Sequence, residues 1–199
     1  MLRWSCIALL VALTACAPRL DPREAIEEAA TGDHRPQAHL ERNRYRHPVE
    51  TLRFFEVAPD MTVVEVWPGG GWYTEVLAPL LRDRGTFHAA HFPPDSGIGF
   101  YTRNLEKYRD KLATKPGLYD QVKLTYLWPP KYTEIAPAAS ADRVLTFRNV
   151  HNWAKAGKTK AYFDAFYKAL RPGGILGVVE HRAPPGRSLE QQIESGYMT

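Results

Sequence analysis

Alternating apolar and polar segments along the chain predict strands separated by helices. The segments that predict strands are short and rich in apolar and β-branched residues. They span residues 61–67, 85–92, 121–127, 141–147 and 173–182. Helices that bury one face are predicted at residues 72–85, 99–117 and 158–174. Strands that alternate with helices predict an α/β fold of three layers, in which helices cover both faces of a doubly wound, mostly parallel sheet.

The first predicted strand leads into a glycine-rich stretch, VVEVWPGGGWYT at residues 63–74. In a doubly wound sheet, ligands bind beyond the carboxyl ends of the strands, beside the first strand. A phosphate-binding P-loop needs a lysine that is missing here, and a dinucleotide fingerprint needs a third glycine or alanine where Thr74 stands. The stretch therefore predicts a cofactor loop of another type.

Three segments resemble the class I S-adenosylmethionine-dependent methyltransferases. Glu65, Gly69 and Gly71 fit the E/D-x-G-x-G-x-G loop of that family, with Trp67 in the place of its first glycine. Residues 141–153 (ADRVLTFRNVHNW) are similar to its fourth strand and the segment after it, and residues 169–176 (ALRPGGIL) to its L-K-P-G-G-x-L segment. The combination of EVWPGGGW and RNVHNW resembles predicted methyltransferases of bacterial envelope lipoprotein type.

The resemblance implies a Rossmann-like methyltransferase fold that binds S-adenosylmethionine. Glycines in the loop would let the backbone approach the methionine part of the cofactor, and the following helix would suit its carboxylate. His91 takes the position of the acid that holds the ribose hydroxyls in the family. The expected cofactor-binding residues are Glu65, Trp67, Gly69, Gly70, Gly71 and His91.

Methyl transfer needs mainly an aligned acceptor, and a general base is optional. The residues just past the fourth strand are therefore the candidate catalytic residues, His151 as base and Asn149 beside it. Trp153, Glu180 and His181 are candidate contacts to a small-molecule substrate. In the alternative interpretation, His151 caps a short helix and Trp153 fills the core.

Other partners are not indicated by the sequence. His88 and His91 lie three residues apart on a strand and therefore face opposite sides, so we expect no metal site. The net charge of +4 is modest and interspersed, which disfavours a nucleic-acid partner. The arginines at positions 42, 44 and 46 alternate with acids and polar residues, and a solvated face is favoured over an anion site.

The N-terminus predicts export. Residues 1–15 combine a positive start with an apolar stretch too short to span a bilayer, as in a signal peptide. Residues 13–16 (LTAC) resemble the lipobox of bacterial lipoproteins, which implies lipidation of Cys16 and membrane attachment in the cell envelope, facing the periplasm. The alternatives are an ordinary signal peptide with a chance cysteine, or a cytoplasmic protein whose signal is not used.

The predicted organisation is a signal peptide (1–15), a lipid-anchored tether with a helical segment (16–46) and a methyltransferase-like domain (47–199). The family usually has a further pair of strands after strand five, and no such pair is predicted here. A truncated reading frame, or a dimer that covers the exposed edge of strand five, would account for this.

The leading function is methyl transfer from S-adenosylmethionine to an unknown small molecule. The alternative is a non-catalytic envelope lipoprotein that reuses the fold to bind a ligand or partner, because the cofactor is made in the cytoplasm whereas a lipobox implies export.

Overall fold

A computed structural model of the protein describes residues 21–199. The predicted signal peptide and the predicted lipidation site Cys16 lie outside these residues, and with the envelope location they remain predictions. Within residues 21–199, no helix has the length and apolar character needed to cross a membrane.

The central sheet is parallel and has five strands. They lie at Thr62–Val66 (β1), Thr86–His91 (β2), Lys123–Tyr126 (β3), Ala141–Phe147 (β4) and Leu170–Val179 (β5). Their order is β3-β2-β1-β4-β5, so the direction of winding reverses beside the carboxyl end of β1. The predicted doubly wound α/β fold is confirmed.

Ten helices surround the sheet in the described part of the chain. They lie at Pro22–Thr31 (α1), Gln37–Leu40 (α2), Asn43–Arg46 (α3), Pro48–Phe54 (α4), Thr74–Leu81 (α5), Gly99–Thr114 (α6), Pro116–Tyr119 (α7), Val150–Lys155 (α8), Thr159–Ala169 (α9) and Leu189–Ser195 (α10). The helix predicted at 158–174 ends earlier, at Ala169, because Leu170 already pairs with Ala141 in the sheet and Pro172 cannot continue a helix.

Side chains of the sheet alternate between two cores. Val63 on β1 and Leu145 on β4 pack in the core that includes α1, α4 and α5. Val64 and Val144 pack in the other core, with α8 and α9. Because both faces are covered, β1 is apolar on both sides, and Glu65 is its one ionisable residue.

The segment before β1 belongs to the first of these cores. Ile26 on α1 is fully buried together with Leu52 on α4 and Leu77 on α5. Residues on both sides of the predicted boundary at 46/47 therefore share one apolar cluster. This packing fixes α2 and α3 above the carboxyl end of β1.

The last residues fold back onto α8. His181–Arg182 (β6) pair in parallel with Tyr197–Met198 (β7), and α10 between them packs against α8. A capping box at Ser188 and Gln191 begins α10, and Gly196 ends it in a left-handed conformation with φ of 73°. Within residues 21–199, β5 forms one edge of the large sheet, and β6 and β7 form a separate two-stranded sheet.

If α1 is part of the domain core, Ile26→Ala will lower the free energy of unfolding by about 2–5 kcal/mol, the usual cost of emptying a buried aliphatic site. Denaturant titration of the full chain measures this change. The control is Glu28→Ala on the same helix, which is exposed and should change stability by less than about 0.5 kcal/mol. Equal effects of the two substitutions would contradict a shared core.

Candidate functional site

A cavity of about 490 Å³ opens beyond the carboxyl ends of β1 and β4. Its floor is formed by Glu65 and the glycine loop, which we define as residues 67–71. The walls come from residues 39–46, from the first turns of α6 and from residues 147–152 after β4. The volume falls within the range of about 300–1,000 Å³ that is typical of small-molecule sites.

The three glycines of the loop have different surroundings. A side-chain carbon built on Gly69 or Gly70 would meet no atom within 4 Å, and both residues line the cavity. One built on Gly71 would lie 2.9 Å from Cε2 of Tyr108 on α6. Gly69 and Gly70 therefore offer bare backbone to a ligand, whereas Gly71 allows α6 to pack closely.

Glu65 is buried at the end of β1 and faces the cavity. Its carboxylate accepts a hydrogen bond of 2.7 Å from Oγ1 of Thr74, which is also 3.0 Å from the hydroxyl of Tyr108. Burial raises the pKa of Glu65 to about 7, despite the opposing hydrogen bond from Thr74. The group can therefore change charge near neutral pH.

Trp67 takes the place of the family's first glycine by adopting a glycine-like backbone, with φ of 50°. Its indole Nε1 donates a hydrogen bond of 3.0 Å to the carbonyl of Leu127. The ring packs among other aromatic rings, those of Phe92, Tyr101, Trp128, Trp153 and Tyr162. This cluster holds the strained residue in place, and one side of Trp67 lines the cavity.

His91 lies under the glycine loop and is completely buried. Its Nδ1 accepts a hydrogen bond of 2.8 Å from the backbone N–H of Phe92, so Nε2 carries the hydrogen and donates to the carbonyl of Gly69 at 3.1 Å. Burial lowers the pKa of His91 to about 4, which keeps the ring neutral. Both ring nitrogens are hydrogen-bonded to backbone groups, and the ring does not line the cavity. His91 therefore holds the loop in place.

His88 lies on the other face of β2, near Lys168 of α9, whereas His91 contacts Tyr108 of α6. The prediction that the two histidines face opposite sides is confirmed. In the described part of the chain, no group of three or more histidine, cysteine or acidic residues is arranged to hold a metal ion.

Asn149 lies at the cavity, and His151 does not. The amide Nδ2 of Asn149 donates to the carbonyl of Val66 and to Oγ1 of Thr146, both at 3.1 Å, which joins the ends of β1 and β4. His151 lies beneath Gly196, where a side-chain carbon would be 3.5 Å from its Cδ2. Its Nδ1 lies 3.5 Å from a carboxylate oxygen of Glu180, and the ring does not line the cavity.

The three candidate substrate residues are placed away from the cavity. Trp153 is fully buried and stacks on Tyr162 with ring centroids 4.6 Å apart, so it fills the core as in the alternative interpretation. Glu180 accepts a hydrogen bond of 2.7 Å from the N–H of Val150 and thereby caps α8. His181 is exposed on β6 and stacks on Tyr197.

Sequence reasoning missed the arginines of the cavity. Arg42, Arg46 and Arg148 line it, and Arg46 lies over the ring of Trp72 at 4.7 Å. Arg44 instead lies over Tyr45 and away from the cavity. Positions 42 and 46 are four residues apart, and residues with this spacing share one face of a helix. This spacing could have predicted that Arg42 and Arg46 face the same side and that Arg44 faces another.

A buried carboxylate holds the segment of α2 and α3, which carries Arg42 and Arg46. Glu75, in the first turn of α5, pairs with Lys111 of α6 and accepts from Nδ1 of His39 at 2.9 Å, and Nε of Arg35 lies 3.5 Å away. Burial acts to raise the pKa of Glu75, but hydrogen bonds from Lys111 and His39 outweigh it and the pKa is lowered. Glu75 thus joins α5, α6 and the segment of α2 and α3 in one network.

No protein-family model and no curated protein sequence matches the chain. The chain is similar to several solved structures. A SAM-dependent methyltransferase from Aquifex aeolicus is similar with a TM-score of 0.57 and 17% identity, over 85% of this chain and 78% of that one.

Two further structures are similar over smaller shares of their own chains. TrmN from Thermus thermophilus has a TM-score of 0.51 and 18% identity, over 65% of this chain and 36% of that one. An arsenic (III) S-adenosylmethionine methyltransferase from Chlamydomonas reinhardtii has a TM-score of 0.50 and 15% identity, over 81% and 49%. At these identities the likeness shows the fold: the chain has the class I methyltransferase fold.

We expect Glu75→Gln to destabilise the protein by about 3–5 kcal/mol, because it leaves buried cations without their counter-charge. The lowered pKa of Glu75 means that its contribution is complete above about pH 4.5, the unfolded value, and is lost as the pH falls further. Denaturation of both proteins between pH 3 and 7 tests this. Glu27→Gln, which breaks an exposed pair with Arg23, is the control and should cost less than about 1 kcal/mol.

Proposed function

We propose that the protein transfers a methyl group from S-adenosylmethionine to a small molecule bound in the cavity. The observation that carries this proposal is the bare backbone of Gly69 and Gly70, which faces open space at the end of β1 in a class I methyltransferase fold. The residues fit the cofactor at this point, because any side chain on either glycine would occupy the space that a ligand needs. The fold and its methyltransferase neighbours support the general activity.

In this proposal, the methionine part of the cofactor lies against Gly69 and Gly70, with its ammonium group near Glu65. The nucleoside part lies toward Phe92 and Tyr101, with the amide of Asn104 as a hydrogen-bond partner. These residues line the same cavity. Trp67 and His91 hold the loop in its conformation, since their side-chain polar atoms are bonded to backbone groups.

The acceptor then lies at the edge formed by residues 147–152. When bound, the cofactor supplies an electrophilic methyl group, and the chain's task is to align the nucleophile with it. Asn149 and Asn152 offer polar groups at this edge, and Asn149 is fixed by its bonds to β1 and β4. Because His151 does not line the cavity, the proposal assigns it no proton transfer.

Calorimetry with S-adenosylhomocysteine on the full chain tests the proposal, and Gly70→Val sharpens it. Gly70 has no positive φ and no neighbour within 4 Å, so a valine there should leave folding intact and weaken binding by at least about tenfold. Gly117→Val is the matched control, because Gly117 on α7 is equally unobstructed and far from the cavity. Absence of binding to the native protein would favour the non-catalytic alternative.

Binding of S-adenosylhomocysteine should strengthen as the pH rises from about 6 to about 8. The raised pKa of Glu65, about 7, keeps the carboxyl protonated at the lower pH, and only the ionised form attracts the ligand's ammonium group. Calorimetry across this range measures the effect, and Glu65→Gln should flatten the profile. An unchanged slope in that variant would place the titrating group elsewhere.

A further inference from the structure

The cavity carries more positive charge than its own residues neutralise. Arg42, Arg46 and Arg148 line it, and within residues 21–199 none of their guanidinium groups forms an ion pair. The one carboxylate on the wall, Glu65, is bonded to Thr74. His39 on the same wall is bonded to Glu75. Within residues 21–199, no carboxylate therefore lies within ion-pair distance of the three arginines, and the one cation–π contact among them is that of Arg46 with Trp72.

The arginines come from separate parts of the fold and meet at the cavity. Arg42 immediately precedes the short helix α3, Arg46 is its last residue, and Arg148 follows β4 with a left-handed φ of 65°. That conformation is fixed by a hydrogen bond of 2.7 Å from its N–H to the carbonyl of Val179. Holding a non-glycine residue in this region costs free energy, and such residues concentrate at ligand sites.

The charges are close enough to affect one another. The pKa of Arg46 is lowered by burial first, and then by the neighbouring positive charges of Arg42 and Arg148. The carboxylate of Glu65 offsets part of this repulsion at Arg46, and an anion in the cavity would offset more of it. The same wall is aromatic, since Tyr73 and Phe147 stack with ring centroids 3.7 Å apart.

We infer that the methyl acceptor is an aromatic carboxylic acid, whose carboxylate binds Arg42, Arg46 and Arg148 while its ring packs on the aromatic wall. This inference rests on the proposed function and names its substrate class. Guanidinium groups match carboxylates in geometry and charge. An anionic acceptor would also be attracted to the positively charged sulfonium of S-adenosylmethionine. The cavity would then hold two ligands of opposite charge, and the arginines would bind the negatively charged one.

The carboxylate of the cofactor itself has the same chemistry, and the test must separate the two sources. Benzoate and its neutral counterpart benzamide are titrated into the full chain, with and without S-adenosylhomocysteine. S-adenosylhomocysteine and 5′-methylthioadenosine, which lacks the amino-acid part, are titrated separately. The variants are Arg42→Gln and Arg148→Gln, which are exposed and free of ion pairs, and the matched control is Arg44→Gln.

We expect the native protein to bind benzoate at least about tenfold more tightly than benzamide. Each variant should lose about tenfold in affinity for benzoate and keep its affinity for benzamide. Arg44→Gln should bind as the native protein does. Equal affinity for benzoate and benzamide would overturn the inference. So would a loss confined to S-adenosylhomocysteine, which would assign the arginines to the cofactor, or an equal loss for methylthioadenosine, which would indicate damage to the cavity.

The titrations with the two nucleosides test the proposed function separately. If the native protein binds neither S-adenosylhomocysteine nor methylthioadenosine, the methyltransferase proposal fails. The preference for benzoate over benzamide, and its dependence on Arg42 and Arg148, are measured without either nucleoside.

Discussion

The cavity depends on one buried carboxylate, that of Glu75. A carboxylate removed from water is tolerated only when cations and hydrogen bonds surround it, and Arg35, His39 and Lys111 supply these from three different segments. Because Glu75 stands in the first turn after the glycine loop, the same network that neutralises it sets the segment of α2 and α3 above the loop. The network thus ties the segment of α2 and α3 to the helix that follows the loop, in addition to the apolar packing of α1 and α4.

Local patterns in the sequence predicted the strands, the helices α5, α6 and α9 and the glycine loop, because these follow from periodicity and from backbone requirements within a few residues. The cavity wall follows from contacts between distant residues. Arg46 lies over Trp72, and its carbonyl accepts from the hydroxyl of Tyr73 at 3.2 Å, so a segment that looks solvated in the sequence becomes a lining. His151 and Trp153 are next to the site in sequence, but Trp153 is buried in the core, and His151 lies beside Gly196 and pairs with Glu180.

Trp67 shows how a departure from a family pattern can be accommodated. A bulky residue in a glycine position must satisfy both a left-handed backbone and a large ring. The backbone N–H donates to the carbonyl of Ala90 at 2.8 Å, the indole donates to Leu127, and the ring joins the aromatic cluster. The loop therefore keeps Gly69 and Gly70 open although its first position is filled, and the sequence alone could not distinguish this from a blocked site.

The C-terminal fold-back has a consequence for how this protein can change over evolutionary time. α10 and β7 pack on α8, whose Asn152 lines the cavity. A substitution in this segment therefore reaches one edge of the cavity through α8. Under the proposed function that edge would hold the acceptor and the glycine loop the cofactor, so the choice of acceptor could change while the loop is kept.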